Sequence, residues 1–292
     1  MTSTHTDTPA PALPDSLRVG TVELTVTDLD RSVAFYASAI GLRLHRREAG
    51  RAALGAGGED LLVLVEDRSA RPAGRHAGLY HFALLHPSRE ELARAAQRLA
   101  ATRTRISGAS DHGISEAIYL PDPDGNGIEL AADRGREHWG DLSDPTALGG
   151  PDPFDVAGLL ELVADEEVHA DVSPESVVGH LHLHVGDIER GLGFYRDVIG
   201  FALMTLHDSA AFVAAGGYHH HLGFNIWRGS GVPPAPPGTV GLRHWTIVLP
   251  ASDAAALRER VVTAGVDHEE HADGLLVRDP WDIALLVRAD AG

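Results

Sequence analysis

The 292-residue chain contains no cysteine and no lysine. Without Cys there are no disulfides, thiolate metal sites or Cys nucleophiles. Without Lys there is no Schiff-base chemistry and no P-loop, whose phosphates need a lysine. All 24 basic residues are therefore Arg, set against 42 Asp and Glu for a formal charge of −18. That acidity, with no long run of Arg, argues against nucleic acid as a partner. The sequence has no run of 18 apolar residues, so no membrane span is expected and a cytoplasmic location is the default. The side chains left for acid–base work and metal ligation near neutral pH are 18 His and the carboxylates.

The length suggests about two domains, and 43% hydrophobic residues can fill their cores. Met1 to Pro14 is rich in Thr, Pro and Ala without a basic apolar core, which reads as a disordered tail over 1–16 and not a signal peptide. The chain then repeats itself. VGTVELTVTDLDRSVAFYASAIGL from Val19 aligns without a gap on VGHLHLHVGDIERGLGFYRDVIGF from Val178. Each copy predicts a strand, an Asp cap and a helix with apolar residues at helical spacing: Leu29, Val33, Tyr36 and Ile40, then Ile188, Leu192, Tyr195 and Ile199. Gly41 and Gly200 stop these helices. Later in each half a second strand and helix follow, GLYHFALL with REELARAAQRLAATR and GLRHWTIVL with AAALRERVVTAG, each trailed by short strand-like runs. The whole predicts an α+β protein of four βαβββ modules. Two fall in 17–133 and two in 178–292, joined by a linker over 134–177 with a short helix near Val156 to Val163.

The first strand of the second half carries His180, His182 and His184 on one face, with Leu181, Leu183 and Val185 on the other. A lone His on a strand is more often structural than a ligand. Here others stand at comparable points: His81 in GLYHFALL, His244 in GLRHWTIVL, and the triplet His219, His220 and His221 opening a strand. The best carboxylate is Glu129, in the strand leaving the Asp-Gly-Asn-Gly turn of DPDGNGIEL. Two imidazoles and one carboxylate on rigid strands form the facial triad that suits Fe(II), and Zn(II), Mn(II) or Ni(II) would also accept it.

The paired strand, the DLxRSxxFY helix and the DPDGNxIEL ending resemble the vicinal oxygen chelate superfamily. GGYHHHLGFN, DHGISEAIYLPDPDGNGIEL and DRGREHW resemble its bacterial catechol 2,3-dioxygenase group of extradiol enzymes. The resemblance implies two cupped mixed sheets with helices on the outer faces. It also implies cleavage of a catechol-type aromatic diol by O2 at a mononuclear 2-His-1-Glu site, with Fe(II) as cofactor and Mn(II) as the alternative. Within halves neither ligand set is complete, because Thr21 stands where the first half needs a His and Leu286 (or Ala284, with a gap) where the second needs a Glu. Across halves, His81, Glu129 and His180 make a full metal set. The same family pattern implies His220 as acid/base, Tyr119, ten residues before Glu129, as a contact for a substrate oxygen, and His112 as an assisting group.

Modules two and three are thus expected to share one metal-containing cup, leaving Thr21, His244 and Leu286 in an empty one. Pairing within halves, using His180, His244 and His221, is the rival geometry. Phe224, Trp227 and Trp245 are candidates for pocket walls, with a core role favoured for each; His219 and His221 read as structural or surface residues. A glyoxalase-type metal-dependent isomerase or lyase and a metal-free small-molecule-binding protein are the alternative functions, and self-association is left open.

Overall fold

The computed structural model of the protein describes residues 12–140 and 152–290. The first eleven residues of the expected tail, residues 141–151 of the expected linker and the last two residues lie outside the described residues. The first module runs β1 (Arg18–Val26), α1 (Leu29–Phe35), β2 (Arg43–Glu48), β3 (Arg51–Gly55) and β4 (Asp60–Glu66). The second runs β5 (Gly78–His86), α2 (Arg89–Ala101), β6 (Gly108–Asp111), β7 (Ser115–Pro121) and β8 (Gly127–Asp133). A short helix, α3 (Val156–Glu161), leads to the third: β9 (Val177–His184), α4 (Ile188–Phe194), β10 (Ala202–His207), β11 (Ala210–Ala214) and β12 (Leu222–Asn225). The fourth is β13 (Gly241–Leu249), α5 (Ala251–Thr263), β14 (His268–His271), β15 (Gly274–Arg278) and β16 (Ala284–Ala289). Among the described residues no helix is long and apolar enough to cross a membrane.

The repeated motif forms the same local structure twice. Asp28 and Asp187 cap α1 and α4 by accepting the N–H groups of Arg31 and Arg190, satisfying donors that a helix start leaves free. Both helices widen into a π turn, Tyr36–Ile40 and Tyr195–Ile199, and end at Gly41 and Gly200 with φ of 86° and 101°, a left-handed conformation that glycine adopts without penalty. The orphan carbonyls there find cations from the following module: Arg98 donates to Ile40 O at 2.7 Å and Arg260 to Ile199 O at 2.8 Å.

The strands pair across the halves. One eight-stranded sheet has the order β14-β15-β16-β13-β1-β4-β3-β2, and the other β10-β11-β12-β9-β5-β8-β7-β6. Modules one and four therefore share a sheet through the antiparallel β1–β13 pair, and modules two and three through β5–β9. Side-chain bonds tie modules within each half instead. Tyr36 Oη donates to Asp122 and Tyr195 Oη to Asp279, at 3.1 and 2.8 Å, from the helix of one module to the last turn of the next. Phe82, Leu84, Leu181 and Leu183 join a single large apolar core with Tyr36, Tyr195 and the helices, each buried Leu or Phe contributing about 1.5–3 kcal/mol. Because side chains alternate along a strand, the residues between these point to the other side, into the cup.

Candidate metal centre

Register decides which cup residues meet. On β5, Ala83 is paired with Glu129 of β8 on one side and His180 of β9 on the other, and His81 lies two residues before it on the same face. Ala83 brings only a methyl group, so the longer side chains flanking it close over it. His180 Nε2 is 3.1 Å from Glu129 Oε2. His81 Nε2 is 2.9 Å from the same oxygen but lacks hydrogen-bond alignment and has no hydrogen-bond partner elsewhere. All three residues are buried.

A metal fits this set. Ligand bonds of about 2.1 Å at right angles place neighbouring donors about 3 Å apart, which is the separation seen between Glu129 and each imidazole. Among the described residues, His81, Glu129 and His180 are the only group of three or more His, Asp or Glu whose ligand atoms converge, all within 4.8 Å of one another. Burial opposes the charge of Glu129, but the imidazoles of His180 and His81 outweigh it and hold the carboxyl well below the usual carboxylate range. Burial pushes His81 the other way, down from its ordinary value against the pull of Glu129. The result is an anionic carboxylate beside an imidazole whose Nε2 is unengaged.

The expected acid–base and oxyanion groups surround these three. Tyr119 on β7 is paired with Glu129, and its hydroxyl lies 2.9 Å from His112 Nε2. Burial and the Glu129 charge raise the Tyr119 phenol far above its ordinary value, so it stays protonated; burial lowers His112. The His220 ring packs on His180 with centroids 4.2 Å apart. Burial, then the imidazoles of His180 and His219, push His220 well below its ordinary value, leaving it neutral.

Several further residues reach the site that the sequence pattern does not single out as ligands or acid–base groups. His219 is only 1% exposed and bridges Asp133 and His220. His182, the cup-facing residue after His180, has an unpartnered Nε2 and packs edge-on against His81. Tyr80 also reaches this face, because a bulge at Tyr80 breaks the β5–β9 register between Leu79 and His81; it packs against His182, His184 and Trp227. The bulge drives the Tyr80 carbonyl toward Gly127, where a Cβ would come within 1.9 Å of it. Of the three candidate wall aromatics, Phe224 and Trp245 are core residues and Trp227 is 53% exposed beside His182. His221 turns away from the cup, with Nδ1 accepting Ala215 N–H.

The other sheet repeats the register with different chemistry. Thr246 pairs with Leu286 as Ala83 pairs with Glu129, so Leu286 occupies the carboxylate position without a gap. Thr21 bonds Asp60 O at 2.6 Å. Glu23 is buried and paired with Arg51 and Arg243 at 2.6 and 2.8 Å. It stands opposite His244, as His182 stands opposite His81.

The model of the Glyoxalase/Bleomycin resistance protein/Dioxygenase superfamily matches residues 18–130 and 177–280. The chain belongs to this superfamily. Catechol-2,3-dioxygenase of Bacillus subtilis (strain 168) is 40% identical over 286 residues, covering 96% of each chain. Superfamily folds among solved structures agree with the two-sheet architecture. Glyoxalase I from Zea mays superposes with a TM-score of 0.59 at 17% identity, over 94% of this chain and 92% of that one. A structure from Bacillus subtilis subsp. subtilis str. 168 superposes with a TM-score of 0.65 at 12% identity, over 97% and 87%. At such identities the likeness concerns the fold alone.

Proposed function

We propose that this protein is an extradiol ring-cleaving dioxygenase that acts on a catechol-type aromatic diol with O2. Its metal, Fe(II) with Mn(II) as the alternative, would be held by His81, Glu129 and His180. The observation that carries this reading is the convergence of those three side chains beside His220 and the Tyr119–His112 pair, in a chain 40% identical to a catechol-2,3-dioxygenase. When bound, the metal supplies the Lewis-acid and redox chemistry that ring cleavage by O2 requires.

The remaining work falls to the chain. Glu129 offsets one positive charge of a divalent ion, and the burial of all three ligands excludes competing water. His220, neutral at rest, accepts a proton as the diol binds and returns it later in the reaction. Tyr119 keeps its proton and donates a hydrogen bond to a substrate oxygen, directed by its contact with His112. An isomerase site with a second carboxylate finds no support, since Glu23 lies in the other sheet and is already paired with two Arg.

Anaerobic reconstitution with Fe(II), followed by oxygen uptake on catechol, tests the reading. Bound iron with uptake and a ring-opened product is the expected result. Another metal bound without uptake would favour the isomerase chemistry, and no bound metal would favour a binding protein.

A further inference from the structure

Asp133, at the end of β8, accepts two hydrogen bonds: Tyr218 Oη donates to Oδ2 at 2.8 Å, and His219 Nε2 lies 3.0 Å from Oδ1. A carboxylate only accepts, so His219 carries its proton on Nε2. A neutral His219 then has a bare lone pair on Nδ1, and 2.8 Å from that atom lies Nδ1 of His220. Two lone pairs cannot face each other at that distance, so His220 donates through Nδ1 and its own lone pair sits on Nε2.

We propose that Asp133 and His219 are positioning residues that fix the tautomer of His220, leaving its Nε2 free as the base. This rests on the acid/base role given to His220 above and extends it to two side chains outside the metal set. The proton balance follows directly. Nε2 of His220 takes the proton from a diol hydroxyl, and the cation formed shares its Nδ1 proton with His219 Nδ1. The Asp133 carboxylate then faces the positive charge. On proton return each hydrogen retraces its step. The logic is that of a base oriented by a second group that is itself held by a carboxylate. Packing keeps the link in place: the His219 ring contacts both Tyr218, at 4.1 Å between centroids, and Trp139, at 5.1 Å. Trp139 is anchored through Nε1 to Arg134 O at 2.8 Å. The competing arrangement is a cationic His219 that donates to both neighbours and forces the proton of His220 onto Nε2.

Nitrogen-15 NMR of the histidine rings in the metal-free full chain separates the two, with the His220 signals identified by their loss in His220→Gln. The expected pattern for His220 is a protonated Nδ1 and a bare Nε2. In His219→Phe, which keeps a ring against Tyr218 and Trp139 but removes the acceptor, the Nδ1-protonated form should lose its dominance. His219→Asn, which places an oxygen near the lost Nδ1, should restore it. In the iron-loaded enzyme His219→Phe should lower kcat on catechol about 10- to 100-fold with metal content and KM little moved, the scale of removing a group that orients another, and His219→Asn should recover part of it. A wild-type His220 protonated on Nε2, or a tautomer indifferent to His219→Phe, would overturn the assignment. If iron-loaded protein leaves catechol untouched while the tautomers behave as stated, the dioxygenase reading fails and the positioning link stands.

Discussion

Ala83→Leu should empty the metal site without removing a ligand. Ala83 is 0% exposed and lies between Glu129 and His180, each one strand away, or about 4.8 Å. The carboxylate and the imidazole close over its methyl group until their tips are 3.1 Å apart. Leucine adds a branch reaching about 2.5 Å beyond that methyl, into the space the donors enclose. Overpacking a filled site costs about 1–3 kcal/mol, which lowers Tm by roughly 2–10 °C for a chain of this size. The larger effect is on stoichiometry, because splayed ligands no longer hold a shared ion. Metal analysis after anaerobic Fe(II) loading should fall from about one ion per chain toward zero, with Ala83→Ser as a size-matched control that keeps its metal. An Ala83→Leu protein that melts like the wild type and binds a full equivalent of iron would refute the convergence of Glu129 and His180 over residue 83.

Three further expectations separate chemistry from folding. His220→Ala should keep its iron and lose about 10²- to 10⁴-fold in kcat, the range for a missing acid/base group; unchanged kcat in steady-state oxygen uptake would remove His220 from the mechanism. Glu23→Ala strands Arg51 and Arg243 beside a buried position. Because both guanidinium groups reach solvent, it should cost about 1–3 kcal/mol in urea unfolding while leaving metal content at one per chain, and loss of metal would contradict the separation of the two cups. Burial pushes Asp279 up to about 6, so the folded state holds its proton over a range where the unfolded chain releases it. The associated stability is present below about pH 4 and is lost as pH rises through about 6, a change of about 3 kcal/mol. Asp279→Asn should lack that part of the pH dependence, and parallel wild-type and variant stability curves between pH 4 and 7 would show the carboxyl to be unperturbed.

Local features were the most legible in the sequence. Asp28 and Asp187 cap, Gly41 and Gly200 terminate, and the faces of β9 separate leucines from histidines, because each depends on neighbours along the chain. The pairing of modules was legible for a different reason. Thr21 and Leu286 leave both within-half ligand sets incomplete, and the β5–β9 pair brings His81, Glu129 and His180 into one cup. What sequence spacing misses is irregular backbone. Alternation along a strand predicts that neighbouring His219 and His220 face apart, yet both precede β12 in non-strand backbone and bond each other. Tyr80 breaks the alternation in the same way, since a bulge lets it share a face with His81. Arg98, an almost fully buried cation on a helix, becomes intelligible only when the π turn of another module presents Ile40 O to it.

Anomalous diffraction at the iron edge, from crystals grown anaerobically with Fe(II), tests the central claim most directly. The expected result is one strong peak per chain, about 2 Å from His81 Nε2, His180 Nε2 and a Glu129 carboxylate oxygen. A peak beside His244 or Glu23 in the other sheet, or one bound by His219 or His221 with His81 and Glu129 left out, would contradict it.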